Sequence, residues 1–319
     1  MIEFFKTRDG VTHQVEAPEP GCWISVQSPT PDERTWMLEE LGVVSEFVSA
    51  AMDDDERSRT DYDDDTGQAL IIADCPFVED VHEAEDATIT QYDTHPLTFL
   101  VLPEQDMLVT VSLRENRTVQ VFKSGRKINT NQRTRLLLQM MMHLSHGYVT
   151  YLRNLERQFN ANERILRKSL RNKELIKMLG FEKSLVYFST SLKSTEATLA
   201  RISAGRVIKL YEDDRDLLDD VLIEIRQAME MCTIHTRVLT GTMDTYGSVI
   251  SNNLNSTMQI LAIITLIIAI PTVVFSFYGM NVELPTGIPF GDTWWVPLVI
   301  SIVGSLAMAL WVRKSKLFK

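Results

Sequence analysis

Cysteine is scarce in the 319-residue chain: Cys22, Cys75 and Cys232 are widely spaced and odd in number. They make neither a disulfide framework nor a CxxC metal pair, and read as inert core thiols in a reducing compartment. Proline is missing from residue 104 to residue 270, which frees a long stretch from the residue that most reliably ends a helix. Charge is missing from residue 245 to residue 282. The start, MIEFFKTRDG, has no apolar stretch of the kind a secretory signal needs. No nucleophile elbow, phosphate loop, HExxH or dinucleotide fingerprint occurs, so there is no positive case for an enzyme. Disorder is excluded too, because 45% of the residues are hydrophobic.

The net charge of −11 is unevenly spread. Residues 1–130 hold 27 acids and 10 bases, whereas residues 131–319 hold 16 acids and 22 bases. Nucleic acid is excluded as a partner by the acidic first part, since phosphates demand clustered Lys and Arg. An acidic surface suits cations, and equally suits plain solubility.

Within the charge-free stretch, Met258 to Phe277 reads MQILAIITLIIAIPTVVFSF, about the ~20 residues needed to cross a bilayer. A second span follows from Thr293 to Val312, with Trp294 and Trp295 at one end and Trp311 at the other, where amphipathic rings favour the interface. Two buried core helices are the alternative, disfavoured because both runs are uncharged at full spanning length. After the second span come Arg313, Lys314, Lys316 and Lys319, while the connecting loop has two acids and no base. Positive charge marks the inside, which places both termini in the cytoplasm of a multi-pass protein of the cell membrane.

Ahead of the spans, short β-rich runs at Cys22–Val26, Ala69–Ala73, Leu97–Leu102 and Met107–Leu113 alternate with Pro, Gly and Asp, and read as strands. Thr30-Pro31-Asp32-Glu33 starts a helix through about Leu41, with a cap residue, a proline at the first helical position and a glutamate three residues on. From about Asn131 the pattern is helical, with a stripe of Leu137, Met141, Leu144, Tyr148, Tyr151, Leu155 and Phe159. Breaks are expected near Gly180 and over 204–211. A helix from Asp214 to Phe277 would be roughly 95 Å long. The reading is an α+β cytoplasmic domain of mixed sheet and flanking helices over 1–128, long helices over 129–207 and a stalk continuing into the first span over 208–277. A loop over 278–293 and the second span with its basic tail over 294–319 complete it. Met140–Met142 reads as helical core. His143 and His146 sit three apart with no third ligand near in sequence, so packing or solvation is favoured over a metal site.

Two spans from one chain cannot enclose a polar path, so any pore must be oligomeric. Rotational symmetry turns each inward side chain into a ring, and Asn255, Met258, Ala262, Thr265 and Ala269 fall on one stripe. A lipid-facing or interhelical stripe is the rival for Ala262 and Ala269. Asn255 is harder to assign that way, because an amide near the end of a span prefers polar surroundings.

At the outer end stands Tyr278-Gly279-Met280-Asn281, and with it the chain closely resembles the CorA family of divalent-cation channels. That family's signature is GMN directly after the first of two C-terminal spans. The resemblance extends over the whole chain: two terminal spans, a positive tail and a large acidic cytoplasmic part. It implies a homopentameric funnel in the bilayer that imports hydrated Mg²⁺, with Co²⁺ or Ni²⁺ as further ions, through a pore formed by the first span. Mg²⁺ sheds water reluctantly, so a mouth of amide and backbone oxygens suits it better than a carboxylate ring. Gly279, Met280 and Asn281 would form that filter, with Gly279 permitting the turn; a helix C-cap is the other role open to Asn281.

Position by position, Asn255 and Met258 match the family's polar and methionine pore sites, Asp244 an acid of the lower pore, and Glu283 an acid of the outer loop that concentrates cations. Pro271 lies one residue closer to GMN than in the best-known members, and Ala269 stands where a methionine constriction is expected. The family is thought to close when cytoplasmic Mg²⁺ binds between subunits. Asp220, beside Asp219, aligns with an acid of such a site, but the partner acid falls at Ala50, so the site would have to draw on the nearby Asp53-Asp54-Asp55-Glu56 run, Asp53 and Asp54 first, or on Asp61 to Asp65; a solvated loop is the alternative. Mg²⁺ is then both cargo and regulatory ligand, and no organic cofactor is implied. Two other functions stay open: a Zn²⁺ transporter of the ZntB-like branch, against which GMN in place of GIN and a pore without soft ligands argue, and a non-transporting membrane-anchored sensor, which would leave the polar stripe without purpose.

Overall fold

The computed structural model describes residues 1–79, 91–124, 128–167, 172–205, 207–280 and 295–314. The chain divides into two compact units, Met1–Gly241 and Thr242–Lys319.

The first unit is built on a mixed seven-stranded sheet. Its strands are β1 (Ile2–Arg8), β2 (Val11–Val15), β3 (Trp23–Gln27), β4 (Arg59–Tyr62), β5 (Ala69–Val78), β6 (Tyr92–Leu102) and β7 (Met107–Ser112), in the order β2-β1-β3-β7-β6-β5-β4. Neighbours are antiparallel except β3 and β7, which run parallel. The four runs expected as strands all lie in the sheet. β2 and β4 are its short, largely polar edges, a pattern that carries little signal in sequence.

Alternation along the strands gives the sheet two apolar faces. Ile24, Val26, Leu70, Ile72, Leu100, Val109 and Val111 join Met37 of α1 (Pro31–Glu39) and Phe47 and Val48 of α2 (Ser45–Ala51) in one core. The start of α1 is held as its sequence implies: Thr30 and Glu33 form a reciprocal capping box, with Pro31 at the first helical position. After the short α3 (Arg117–Lys123), the long helices α4 (Arg133–Leu166) and α5 (Asn172–Ser203) pack on β5 and β6. Leu137, Met141, Leu144, Tyr148, Leu155 and Phe159 of the expected stripe are buried, and Tyr151 places its ring 5.3 Å from that of Tyr92.

The break expected near Gly180 is absent, because α5 runs through it. A helical glycine costs about 1 kcal/mol relative to alanine, less than is gained by burying Met178, Phe181, Leu185 and Phe188 around it. The division between helices falls earlier, with α4 ending at Leu166. The second expected break holds: α5 ends at Ser203 and α6 spans Glu212–Tyr278. In this first unit α6 is fastened to α5 by Arg226 and Glu196 at 2.7 Å and by the Cys232 thiol, which donates to the Leu185 carbonyl.

The second unit contains the rest of α6 and α7 (Trp295–Lys314), both long and apolar enough to cross a membrane. Ile263, Ile267, Ile270 and Val274 are half-buried along one face of α6. α7 covers that face, at a separation set by Gly304, where a Cβ would come within 3.0 Å of Ile270 Cγ2.

Candidate ion pathway

Away from the residues that α7 covers, α6 presents Asn255, Met258, Ala262, Thr265 and Ala269, all exposed. Asp244 stands on the same line: eighteen residues separate it from Ala262, five whole turns at about 3.6 residues each. The geometry therefore brings all six expected pathway positions onto one face of a single helix, and leaves that face uncovered by the chain's own second span.

Thr265 has a further property. Its hydroxyl donates to the Leu261 carbonyl at 2.9 Å, so its only proton is spent within the helix and lone pairs remain to face outward. A hydrated dication presents water hydrogens, for which such acceptors, together with the Asn255 amide oxygen, are the complementary partners.

At the far end α6 stops at Tyr278, and the Gly279 N–H closes the last turn on the Phe275 carbonyl at 2.9 Å. Glycine relieves crowding here: a Cβ would lie 3.0 Å from that same carbonyl, whereas φ is outside the left-handed range. Met280 follows, 51% exposed. Asn281 and Glu283 lie outside the described residues.

The expected regulatory acids are exposed but separate. Asp219 and Asp220 project from α6, while Asp53 and Asp54 occupy the turn after α2. Asp54 is held by Arg114 at 2.9 Å, and Asp53 accepts the Asp55 N–H. Ala50, at the expected acidic position, is buried in the α2 core, where no carboxylate would be tolerated unpaired. Among the described residues no three His, Cys, Asp or Glu side chains converge as a metal ion requires. His143 Nδ1 meets the Thr118 hydroxyl at 3.2 Å and His146 faces Glu224 at 3.9 Å, so the two imidazoles diverge.

Two features carry no sequence signal of their own: Arg114 as the partner of Asp54, and Ser305 of α7 as a donor to α6. Each depends on segments distant in the chain.

A family model described as CorA-like Mg²⁺ transporter protein matches residues 19–314. The chain belongs to the CorA family. It is thus a membrane-embedded divalent-cation transport protein, with the two apolar helices as its spans. The cobalt/magnesium transport protein CorA of Methanocaldococcus jannaschii is 26% identical over 259 residues, 81% of this chain and 79% of that one. The complete structure of the CorA magnesium transporter from the same organism shares the fold with a TM-score of 0.81, at 21% identity over 99% of this chain and 98% of that one. The cytoplasmic domain of ZntB from Vibrio parahaemolyticus matches with a TM-score of 0.59 at 15% identity, covering 80% of this chain and 98% of that domain. The CorA fold here is therefore shared with a ZntB protein over the cytoplasmic part.

Proposed function

We propose that five copies of the chain surround a common axis with the Asp244–Ala269 face of α6 inward, forming a gated path that imports hydrated Mg²⁺, with Co²⁺ and Ni²⁺ as further ions. One observation carries this reading: α7 packs on the Ile263–Val274 face alone and leaves the polar-bearing stripe open. Inside the Met258–Phe277 span a lone α6–α7 pair would turn the Thr265 lone pairs to lipid, and just before it the Asn255 amide to the lipid boundary, a cost that a shared water-filled axis removes. The M. jannaschii relative named for cobalt and magnesium transport supports the choice of ions.

In this assembly Asn281 rings the mouth with amide oxygens, Glu283 gathers cations outside it, and both termini lie in the cytoplasm. Dehydration is avoided, because acceptors meet the ion's water shell in place of the ion itself. Cytoplasmic Mg²⁺ favours closure by bridging Asp219 and Asp220 of one subunit to Asp53 and Asp54 of the next. Asp53, Asp219 and Asp220 are exposed on separate elements, while Asp54 would exchange its Arg114 partner for the ion. Facing carboxylates repel when the ion leaves, and the ring loosens.

Mg²⁺ uptake into liposomes loaded with an indicator tests the reading, with Asn281→Ala as control. Flux that the substitution abolishes supports it. Transport of Zn²⁺ alone would favour a ZntB-like role, and no flux from an intact oligomer would favour a membrane-anchored sensor. Subunit count, with ion density on the axis, tests the assembly directly.

A further inference from the structure

Pro271 sits inside α6 and has no N–H, so the Ile267 carbonyl, four residues earlier, loses its helical donor. In hydrocarbon an orphaned carbonyl costs more than in water, and something must satisfy it. The Ser305 hydroxyl of α7 donates to that same carbonyl, at 3.4 Å. The neighbouring Gly304 makes this reach possible, since any side chain there would press on Ile270. Other hydroxyls of the spans behave differently: Thr265, Thr272 and Ser301 each donate to a carbonyl of their own helix. Ser305 reaches across at the one rung of the α6 ladder that proline removes.

The missing rung also defines a joint. Beyond Pro271 only about two turns remain before Gly279 and Met280, so any swing at the joint is delivered to the mouth of the path. We propose that Ser305 is a positioning residue: its bond to Ile267 pins the joint against α7 and so sets where Gly279 and Met280 stand relative to the axis. The inference rests on the transport reading above. Ser305 touches no ion; it acts through α6.

The test is a cycle of full-length variants in liposomes, with Mg²⁺ entry followed as a function of external Mg²⁺. Ser305→Ala is expected to change maximal flux or the half-saturating concentration by about threefold, the factor typical of one interhelical hydrogen bond in a membrane. Ser305→Thr, which keeps the hydroxyl and adds a methyl beside an open apolar groove lined by Pro271, Phe275 and Ile302, should behave as wild type. In a Pro271→Ala background the N–H returns, Ile267 regains its own partner, and Ser305→Ala should have no further effect. Equal effects of Ser305→Ala in both backgrounds, or none in either, would overturn the proposal. Melting temperatures of the same proteins in detergent provide the second readout. Coupling in melting without coupling in flux reduces Ser305 to packing and overturns the positioning role. If the wild type itself carries no divalent cation, the transport reading fails, and the melting cycle still decides whether the bond exists.

Discussion

The Arg114 guanidinium lies 2.9 Å from the Asp54 carboxylate, so one acid of the proposed regulatory site is already paired within its own chain. Arg114 also stands over the Phe77 ring, 5.5 Å from its centre. A dication recruited to Asp54 must displace this guanidinium. Both side chains are partly exposed, and such a pair is worth roughly 0.2–1 kcal/mol. If Mg²⁺ closes the assembly as proposed, Arg114→Gln is expected to lower the concentration required by about 1.4- to 5-fold. Protection of the cytoplasmic part from limited proteolysis, titrated with Mg²⁺, measures it; an unchanged midpoint would remove Asp54 from the site.

Thr265 tests the acceptor argument. Thr265→Val keeps shape and β-branching while deleting the outward lone pairs, so Mg²⁺ flux should fall several-fold with no loss of thermal stability. Thr265→Ser should retain the flux, because its hydroxyl makes the same bond to Leu261. Full flux in the valine variant would place Thr265 away from the ion's path.

Asp74 gives a pH signature to the cytoplasmic unit. It is 7% exposed, and burial raises its pKa; hydrogen bonds with Ser191, Ser58 and Ser194 oppose the shift without cancelling it. A raised folded-state value means that the native chain keeps a proton which the unfolded chain has already released. The stability linked to Asp74 is complete below the unfolded value of about 3.9 and is lost as pH rises through the folded one. Asp74→Asn should accordingly melt above the wild type at neutral pH, with the advantage shrinking toward about pH 4. A constant difference across that range would exclude the ionisation as its source.

The three thiols should be silent in the native protein. Burial pushes Cys75 up to about 12 and Cys232 to about 11, and raises Cys22. Mass spectrometry after iodoacetamide at about pH 8 is expected to find no label on folded chain and three labels in denaturant. Modification of native protein at any of the three would contradict the packing described here.

Much of this architecture was legible from local chemistry. Apolar runs of spanning length, the capping box at Thr30 and Glu33, and the buried face of α4 are properties of short windows, because hydropathy and helical periodicity depend on neighbours three or four residues apart. The stripe from Asp244 to Ala269 was legible for the same reason: a continuous helix turns spacing into a face. Gly180 failed as a break because burial of its neighbours outweighs its own weak preference.

By itself, then, the amino-acid order determined the two spans, the family signature and which side chains of α6 share a line. The tertiary structure decided which face of α6 is left open, which carboxylate finds a guanidinium, and which carbonyl orphaned by proline is satisfied from another helix. Those outcomes join residues separated by 60 positions in one case and 38 in another. No local pattern encodes such pairs, since they arise only when packing brings distant surfaces within hydrogen-bond reach.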